Sequence, residues 1–285
     1  MIYGVGASEG AVAVCARWAA ARPSSAWASV QLGASLIVSG WKVRGDSYTD
    51  EVDASAWAPF LSKLQSAEDP LRRAAELDPK LAEPYVWLIH SGLGQGAPHE
   101  HLHELFVAAT ARSPLHWPAH YKYFLACTEK WSGSHAGMFA FVKDHVRPLP
   151  KGQIVHSLSA AACCELALSI GSAKGNKAAL DTLRDPSHAG DVTAALHAWL
   201  DTTPDKLDQK LERASGAFAG YALNHFAVAL YLTGAEVPAR AVLAALGGVI
   251  ETVPWAWISS GPRERLNPAF TYDRVCRELG VPLSS

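Results

Sequence analysis

Residues 79–114, PKLAEPYVWLIHSGLGQGAPHEHLHELFVAATARSP, decide the predicted fold of this chain. Two apolar segments are joined there by the glycine-bearing turn SGLGQG, and a proline closes the stretch. Four residues of the second segment recur at spacings of three or four and so share one side of an α-helix: Leu102, Leu105, Phe106 and Ala109. The stretch therefore predicts a helical hairpin.

Prolines recur along the chain at a nearly constant interval. Pro79, Pro114 and Pro148 are evenly spaced, and each closes a helical stretch. Alanine and leucine dominate, whereas the alternating pattern of strands and the short turns of β-hairpins are scarce. A helix, a glycine turn, a second helix and a proline at a period of about 34 residues are typical of tetratricopeptide repeats.

The unit between the first two prolines resembles the tetratricopeptide family in particular residues. An aromatic, a leucine, a glycine and a small residue stand where the repeat has them, although His101 occupies a position that is usually alanine: Tyr85, Leu88, Gly96 and Ala108. Residues 22–41 look like an earlier first helix, and residues 221–255 look like a final unit. The resemblance implies an all-α fold whose helical hairpins stack into a superhelix with a concave face.

A closer resemblance rests on three short segments: WKVRG at 41–45, AAELDP at 74–79 and KWSGS at 130–134. They are similar to an uncharacterised bacterial family, a domain of unknown function with tetratricopeptide-like helices in which a K-W-x-G-S turn recurs. Its most distinctive residues in this chain run from Lys130 to Ser134. The resemblance covers roughly residues 18–150, and it implies a helical-repeat fold without an activity.

Composition shifts predict the domain organisation. Residues 171–190 form the most polar and glycine-rich stretch, which predicts a division into N-terminal repeats at 1–170 and C-terminal repeats with a capping helix at 171–285. One continuous domain is the alternative. The capping helix is expected near residues 270–279. Residues 42–55, KVRGDSYTDEVDAS, are expected to form a polar loop insertion that ends where Ser55 caps a helix.

The overall composition narrows the function classes. Of 285 residues, 49% are hydrophobic and 18% are charged, which indicates a well-packed globular protein. A net charge of −2 without a basic stripe argues against nucleic-acid binding. No uninterrupted apolar run reaches the roughly 18–20 residues of a membrane span, and no basic residue precedes the apolar N-terminal stretch. We therefore expect a cytoplasmic protein whose five cysteines are small buried residues.

One short motif raises the possibility of catalysis. His99, Glu100 and His103 match the H-E-x-x-H pattern of zinc peptidases, in which two imidazoles four residues apart bind one zinc ion. Glu100 would then be the general base, and Glu129 lies at a distance along the chain that suits a third ligand. This alternative predicts a zinc-dependent hydrolase with His99, His103 and Glu129 as ligands.

Three observations favour a solvated helix face at this motif. Pro98 and the glycines before it place the motif in the first turn of its helix, where Glu100 has the simpler role of offsetting the helix dipole. The longer zinc-peptidase signature does not follow His103. Histidine is also frequent, with twelve in the chain and nine of them between residues 90 and 156. We therefore prefer the prediction that this motif contains no catalytic residue and binds no metal.

Aromatic and basic residues between 85 and 131 are the candidate binding site. In a repeat protein such a mixture suits a peptide groove with aromatic anchors and basic groups at its rim, although the same rings also suit packing between helices. The candidates are Tyr85, Trp87, His90, Trp117, His120, Tyr121, Lys122, Lys130 and Trp131. The sequence thus favours a non-enzymatic scaffold that binds a protein or peptide partner on its concave face. A structural or regulatory module of a larger assembly is a third possibility.

Overall fold

The computed structural model describes residues 8–45 and 53–283. These residues form helices and connecting turns, and no strand occurs within the two ranges. The predicted all-α class is therefore confirmed. The helices group into two compact units, residues 1–126 and residues 127–285.

The described residues of the first unit form seven helices. They are α1 (Glu9–Ala21), α2 (Ala26–Arg44), α3 (Ala54–Ser66), α4 (Glu68–Leu77), α5 (Glu83–Gln95), α6 (His99–Arg112) and α7 (Trp117–Cys127), the last of which ends at the boundary between the units. Short polar side chains begin several of them. Ser25 accepts a hydrogen bond from the Ala28 amide at 3.2 Å, and Asp53 accepts one from the Ser55 amide at 2.8 Å.

The predicted hairpin is present as α5 and α6. Gly96 ends α5 with a φ of 67°, a left-handed conformation that glycine adopts without strain. The amide of Ala97 then donates to the Gly92 carbonyl at 2.9 Å, which closes the turn. Pro98 immediately precedes α6. The glycine thus ends α5 and the proline precedes α6, at the positions that the sequence predicted.

Close helix contacts in the first unit depend on glycine. A Cβ atom at Gly94 on α5 would lie 2.5 Å from Leu64 Cδ1 and 2.7 Å from Phe60 Cζ on α3. A Cβ at Gly33 on α2 would lie 2.5 Å from Leu71 Cγ on α4. Because real Cβ atoms do not approach other atoms so closely, these glycines set the distances between the helices.

The described residues of the second unit form nine further α-helices. They are α8 (His135–Phe141), α9 (Leu158–Lys174), α10 (Asn176–Leu183), α11 (Pro186–Leu200), α12 (Leu207–Leu211), α13 (Ala219–Thr233), α14 (Glu236–Leu246), α15 (Pro262–Leu266) and α16 (Ala269–Leu279). A π-helical turn, Val142–Val146, follows α8, and 3₁₀ turns occur at Glu129–Trp131, Ile154–Ser157, Pro204–Lys206 and Trp255–Ile258. The helix expected near 270–279 is α16, and the final unit expected at 221–255 contains most of α13 and all of α14.

The core of the second unit is centred on α9. Its first ten residues, Leu158–Ala167, are all buried. Together with the preceding turn, residues 154–174 make one 21-residue helical stretch that is long and apolar enough to cross a membrane, and 72% of its most apolar window is buried inside the protein. The sequence did not predict this stretch as one apolar run, because several polar residues interrupt it, among them His156, Ser159 and Glu165.

The cysteines contribute to the packing. All five are free, four of them are buried, and Cys15 is half-buried. Burial raises the pKa of the Cys163 thiol to about 12, so its reactive thiolate is not populated at neutral pH. The prediction of small buried residues is confirmed for Cys127, Cys163, Cys164 and Cys276.

Two predicted boundaries fall on defined elements. The division predicted between residues 170 and 171 lies within α9. Of the loop predicted at 42–55, residues 42–44 belong to α2 and residues 54–55 belong to α3. Residues 46–52 of that loop lie outside the described residues.

Candidate functional site

The H-E-x-x-H motif occupies the first turn of α6. The helix begins at His99, and the side chains of His99, Glu100 and His103 are exposed. The imidazoles of His99 and His103 lie beside the same ring, with centroids 5.3 and 5.5 Å from that of Tyr123. The motif therefore lies at the N-terminal end of α6, as the sequence predicted.

The third ligand that the zinc alternative requires, Glu129, has partners in the second unit. Its Oε2 atom accepts a hydrogen bond from Ser169 Oγ at 2.5 Å and lies 3.2 Å from His135 Nε2. Within residues 8–45 and 53–283, no three His, Cys, Asp or Glu side chains are grouped so that they could hold a metal ion. The zinc alternative stays a prediction that metal analysis can test.

The first unit contains a different cluster, which we call the aromatic–basic cluster. Its members come from α2, α3, α5 and α7, and most are half-buried: Trp41, Arg44, Trp57, Trp87, His90, Trp117, Tyr121 and Lys122. Five of the nine predicted binding residues belong to it. The charge of Lys122 acts on His90 and so links the two halves of the cluster, and we take it as the candidate binding site.

One half of the cluster is organised around Trp41 and His90. The two rings are stacked, with centroids 5.4 Å apart and an interplanar angle of 14°. Trp87 lies on the same helix as His90, with its ring centroid 5.8 Å from the imidazole. The guanidinium of Arg44 lies 5.4 Å from the Trp41 ring and 5.6 Å from the Trp57 ring, within the range of cation–π attraction.

The other half of the cluster lies on α7. The rings of Trp117 and Tyr121, one helical turn apart, are stacked at 4.8 Å with an interplanar angle of 11°. The Nζ atom of Lys122 lies 5.7 Å from the Tyr121 ring centroid. Trp117 is almost fully buried and braces Tyr121, whereas Tyr121 and Lys122 keep part of their surface accessible.

Electrostatics connect the two halves. Burial lowers the pKa of Lys122 to about 8, because the apolar surroundings disfavour the ammonium. Burial also lowers the pKa of His90 well below its usual value, and the charge of Lys122 lowers it further. His90 is therefore neutral at pH 7, and Lys122 carries most of its positive charge.

Lys122 has no acidic partner in the described part of the chain. None of the ion pairs between described residues includes it. The Nδ1 atom of neighbouring His90 is likewise buried without a hydrogen-bond partner there. A desolvated ammonium with no carboxylate beside it is costly, and an external anion would supply the missing charge.

Sequence reasoning missed three members of the cluster: Trp41, Arg44 and Trp57. They lie on α2 and α3, whereas Trp87 and His90 lie on α5, and the two groups meet only through tertiary contacts. The available signal was the segment WKVR, in which a tryptophan and an arginine are three residues apart and so share one face of a helix. That signal marks a face of α2 but does not reveal which helix packs against it.

Two other predicted binding residues follow prolines at the same interval. Tyr85 comes six residues after Pro79, and His120 comes six residues after Pro114. The Nε2 atom of His120 donates to the Pro114 carbonyl at 2.8 Å, and its ring is buried against Phe106.

Tyr85 contacts a different group near its own proline. The guanidinium of Arg112 donates from Nε to the Pro79 carbonyl at 2.8 Å. The Cζ atom of the same guanidinium lies 4.2 Å from the Tyr85 ring centroid. Tyr85 is therefore engaged inside the hairpin of α5 and α6 and is not part of the aromatic–basic cluster.

The contact between a histidine and a proline recurs in the second unit, two residues after the predicted position. His156 Nε2 donates to the carbonyl of Pro150 at 3.0 Å, again six residues apart. By this criterion Pro150, and not Pro148, corresponds to Pro114. His120 and His156 thus act as similar internal braces of helix starts, and neither ring is free to bind a partner.

The last two predicted binding residues lie on the K-W-x-G-S turn of the second unit. The Nζ atom of Lys130 lies 2.6 Å from Oε1 of Glu165, and 5.4 Å from the ring centroid of Trp257. Trp131 is half-buried on the same 3₁₀ turn, and Ser134 caps α8 by accepting from the Gly137 amide at 3.0 Å. The turn is therefore attached to α9 by an ion pair, which gives Lys130 an internal role.

Comparisons with known proteins do not assign this site. No protein-family model matches the chain, and no curated protein is significantly similar to it.

Proposed function

We propose that the chain is a non-enzymatic scaffold that binds an acidic peptide segment of a partner protein through the aromatic–basic cluster. The proposal includes tetratricopeptide-like hairpins that stack into a superhelix with a concave binding face, in a cytoplasmic protein. Two hairpins with left-handed glycine turns support the repeat: α5 with α6 at Gly96, and α13 with α14 at Gly234. The recurring contacts to Pro114 and Pro150 support it as well.

Lys122 is the single observation that carries the proposed specificity. Its ammonium is desolvated enough to lower its pKa to about 8, and it has no carboxylate partner among the described residues. A peptide carboxylate that binds beside it would gain a charge-assisted hydrogen bond in a poorly hydrated place. Neutral His90 adds no competing charge. The site therefore favours aspartate, glutamate or a terminal carboxylate.

The aromatic rings supply the second part of the recognition. Tyr121 and Trp41 are half-buried, so each presents an apolar face while its neighbour holds it in position. Rings of this kind contribute contact area with little loss of side-chain entropy. We expect the preferred peptide to carry an apolar or aromatic residue next to its acidic group.

Selection of peptides on the purified full-length protein tests the proposal. A phage-displayed library of random heptapeptides is selected against the wild-type chain, and the best sequences are synthesised with a fluorescent label. Their dissociation constants are then measured by fluorescence anisotropy. The expected result is an enrichment of acidic residues beside an apolar residue. Charge-assisted hydrogen bonds contribute about 1.5–3 kcal/mol, so Lys122→Met should weaken binding by roughly 10- to 100-fold.

Lys80→Met is the matched control, because Lys80 is an exposed lysine of the same unit. It should bind the peptides as tightly as the wild type does. Equal loss of affinity in both variants would indicate general charge attraction and would refute a specific site at Lys122. Selected peptides without acidic residues would refute it as well.

A further inference from the structure

A small cavity within the second unit is separate from the aromatic–basic cluster. It has a volume of about 120 Å³. Its walls come from α9, α10, α13 and the segment after α14, and they are mostly apolar: Ala167, Ala179, Leu180, Leu232, Trp257 and Ile258. An apolar cavity of about 150 Å³ holds one benzene molecule, so this space suits a single ring.

The charged groups at one wall of the cavity are satisfied by one another. Arg274 Nε donates to Glu264 at 3.0 Å, and its Nη1 donates to Glu278 at 3.1 Å and to the Tyr231 hydroxyl at 3.2 Å. Its Nη2 donates to the Ile258 carbonyl at 2.9 Å. Four of the five guanidinium N–H groups are thus used.

The charge balance of this wall selects against anions. Two carboxylates, Glu264 and Glu278, surround one guanidinium, so the local charge is negative. The Tyr231 hydroxyl donates its own proton to Glu278 at 2.6 Å. One N–H of Arg274 remains, but the two carboxylates beside it repel a carboxylate or a phosphate. The mostly apolar lining also disfavours any charged group, so we expect a neutral ligand.

Asn176 places a hydrogen-bond acceptor at the cavity. Asn176 is exposed, so it marks the mouth, and its Nδ2 donates to the Ser259 carbonyl at 3.0 Å. That bond fixes the orientation of the amide. The Oδ1 atom makes no hydrogen bond within the described ranges, so it is available to accept one from a ligand.

We propose that this cavity binds a neutral molecule of about one six-membered ring that donates one hydrogen bond, from O–H or N–H, to Asn176. The ring fills the apolar space between Ala179 and Leu232, and its donor points to the mouth. This ligand site is independent of the peptide site on the first unit.

The test uses fluorinated single-ring probes and ¹⁹F NMR line broadening on the full-length protein. 4-Fluorophenol has the ring and the donor, 4-fluorotoluene has the ring alone, and 4-fluorobenzoate is an anion. The wild type should bind 4-fluorophenol at least tenfold more tightly than 4-fluorobenzoate. Equal binding of 4-fluorophenol and 4-fluorobenzoate would overturn the proposal. A ligand of this size can reach a dissociation constant of roughly 1 mM or better. Absence of 4-fluorophenol binding at about 10 mM would therefore overturn the proposal as well.

Two variants locate the probe. Ala179→Met fills the cavity and should weaken phenol binding at least tenfold, whereas Ala178→Met, at the adjacent position of α10, should change it less than twofold. Asn176 is exposed, and Asn176→Ala removes its Oδ1 acceptor together with its hydrogen bond to the Ser259 carbonyl. It should weaken binding of 4-fluorophenol severalfold and leave 4-fluorotoluene unchanged. The assigned site would be refuted if Asn176→Ala weakened the binding of both probes equally. It would also be refuted if Ala179→Met left the binding of 4-fluorophenol unchanged.

Discussion

The ion pair between Lys130 and Glu165 gives a prediction with a definite asymmetry. The Glu165 side chain is 9% exposed and lies in the fully buried first part of α9, whereas the Lys130 side chain is 35% exposed. If Lys130 is removed, the carboxylate stays buried without its partner. If Glu165 is neutralised, the lysine still reaches water. Removing the lysine should therefore cost more stability than removing the charge of the glutamate.

The magnitudes follow from this difference in exposure. Removing one partner of a fully buried ion pair costs about 3–5 kcal/mol, and a fully exposed pair contributes about 0–1 kcal/mol. For Lys130→Met we expect about 2–3 kcal/mol, which includes the lost cation–π contact with Trp257. For Glu165→Gln we expect about 1 kcal/mol, because glutamine keeps an acceptor for the lysine.

Urea unfolding followed by circular dichroism measures both values. Lys177→Met is the matched control, since Lys177 is an exposed lysine of the second unit, and its stability should stay within about 0.5 kcal/mol of the wild type. A larger loss for Glu165→Gln than for Lys130→Met would refute the argument from burial. A negligible loss for both variants would show that the turn is not held by this pair.

Three further predictions concern packing, buried hydrogen bonds and metal. Gly94→Ala should destabilise the protein by about 1–2 kcal/mol in urea unfolding, because the new methyl group would contact Phe60. An unchanged urea midpoint would refute the close packing of α5 against α3 at this glycine. Asn224→Ala should cost about 2–4 kcal/mol in the same assay, since it removes the acceptor at 2.6 Å from the buried indole N–H of Trp255, and a neutral effect would contradict that bond. Metal analysis after incubation with zinc should find no stoichiometric zinc. One zinc per chain that is lost in His103→Ala would instead show a zinc site at the motif, which the hydrolase alternative requires.

Local chemistry explains which parts of the fold are predictable from sequence. The hairpin of α5 and α6 follows from apolar spacing, a left-handed Gly96 and Pro98, and all three act within a few residues. The same reasoning places the H-E-x-x-H motif at the first turn of α6. The proline interval predicts a repeat, and the contact of His156 with the Pro150 carbonyl would move one predicted boundary from Pro148 to Pro150.

The aromatic–basic cluster is less predictable because its members are far apart in sequence. Trp117, Tyr121 and Lys122 share one helix and are visible as a pattern, but Trp41 meets His90 only after α2 and α5 pack. Sequence composition also does not separate a lysine that has an acidic partner inside the protein from one that has none.

Lys130 and Lys122 illustrate this last difficulty. Both stand beside aromatic residues, yet Lys130 has Glu165 as a partner, and Lys122 has no such partner among the described residues. The sequence did contain one signal for the pairing of Lys130 with Glu165. A single glutamate in the apolar segment AAACCELAL requires a cation in the folded protein, since a buried charge alone is too costly.

The pH dependence of peptide affinity tests the central claim most directly. Because the pKa of Lys122 is lowered to about 8, its positive charge is present at pH 7 and is lost as the pH rises through 8. The affinity for an acidic peptide should therefore fall roughly tenfold between pH 7 and pH 9, and Lys122→Arg, which stays charged, should remove that dependence. An ordinary exposed lysine would keep its charge over this range. An affinity that stays constant from pH 7 to pH 9 would contradict the assignment of Lys122 as the residue that binds the peptide carboxylate.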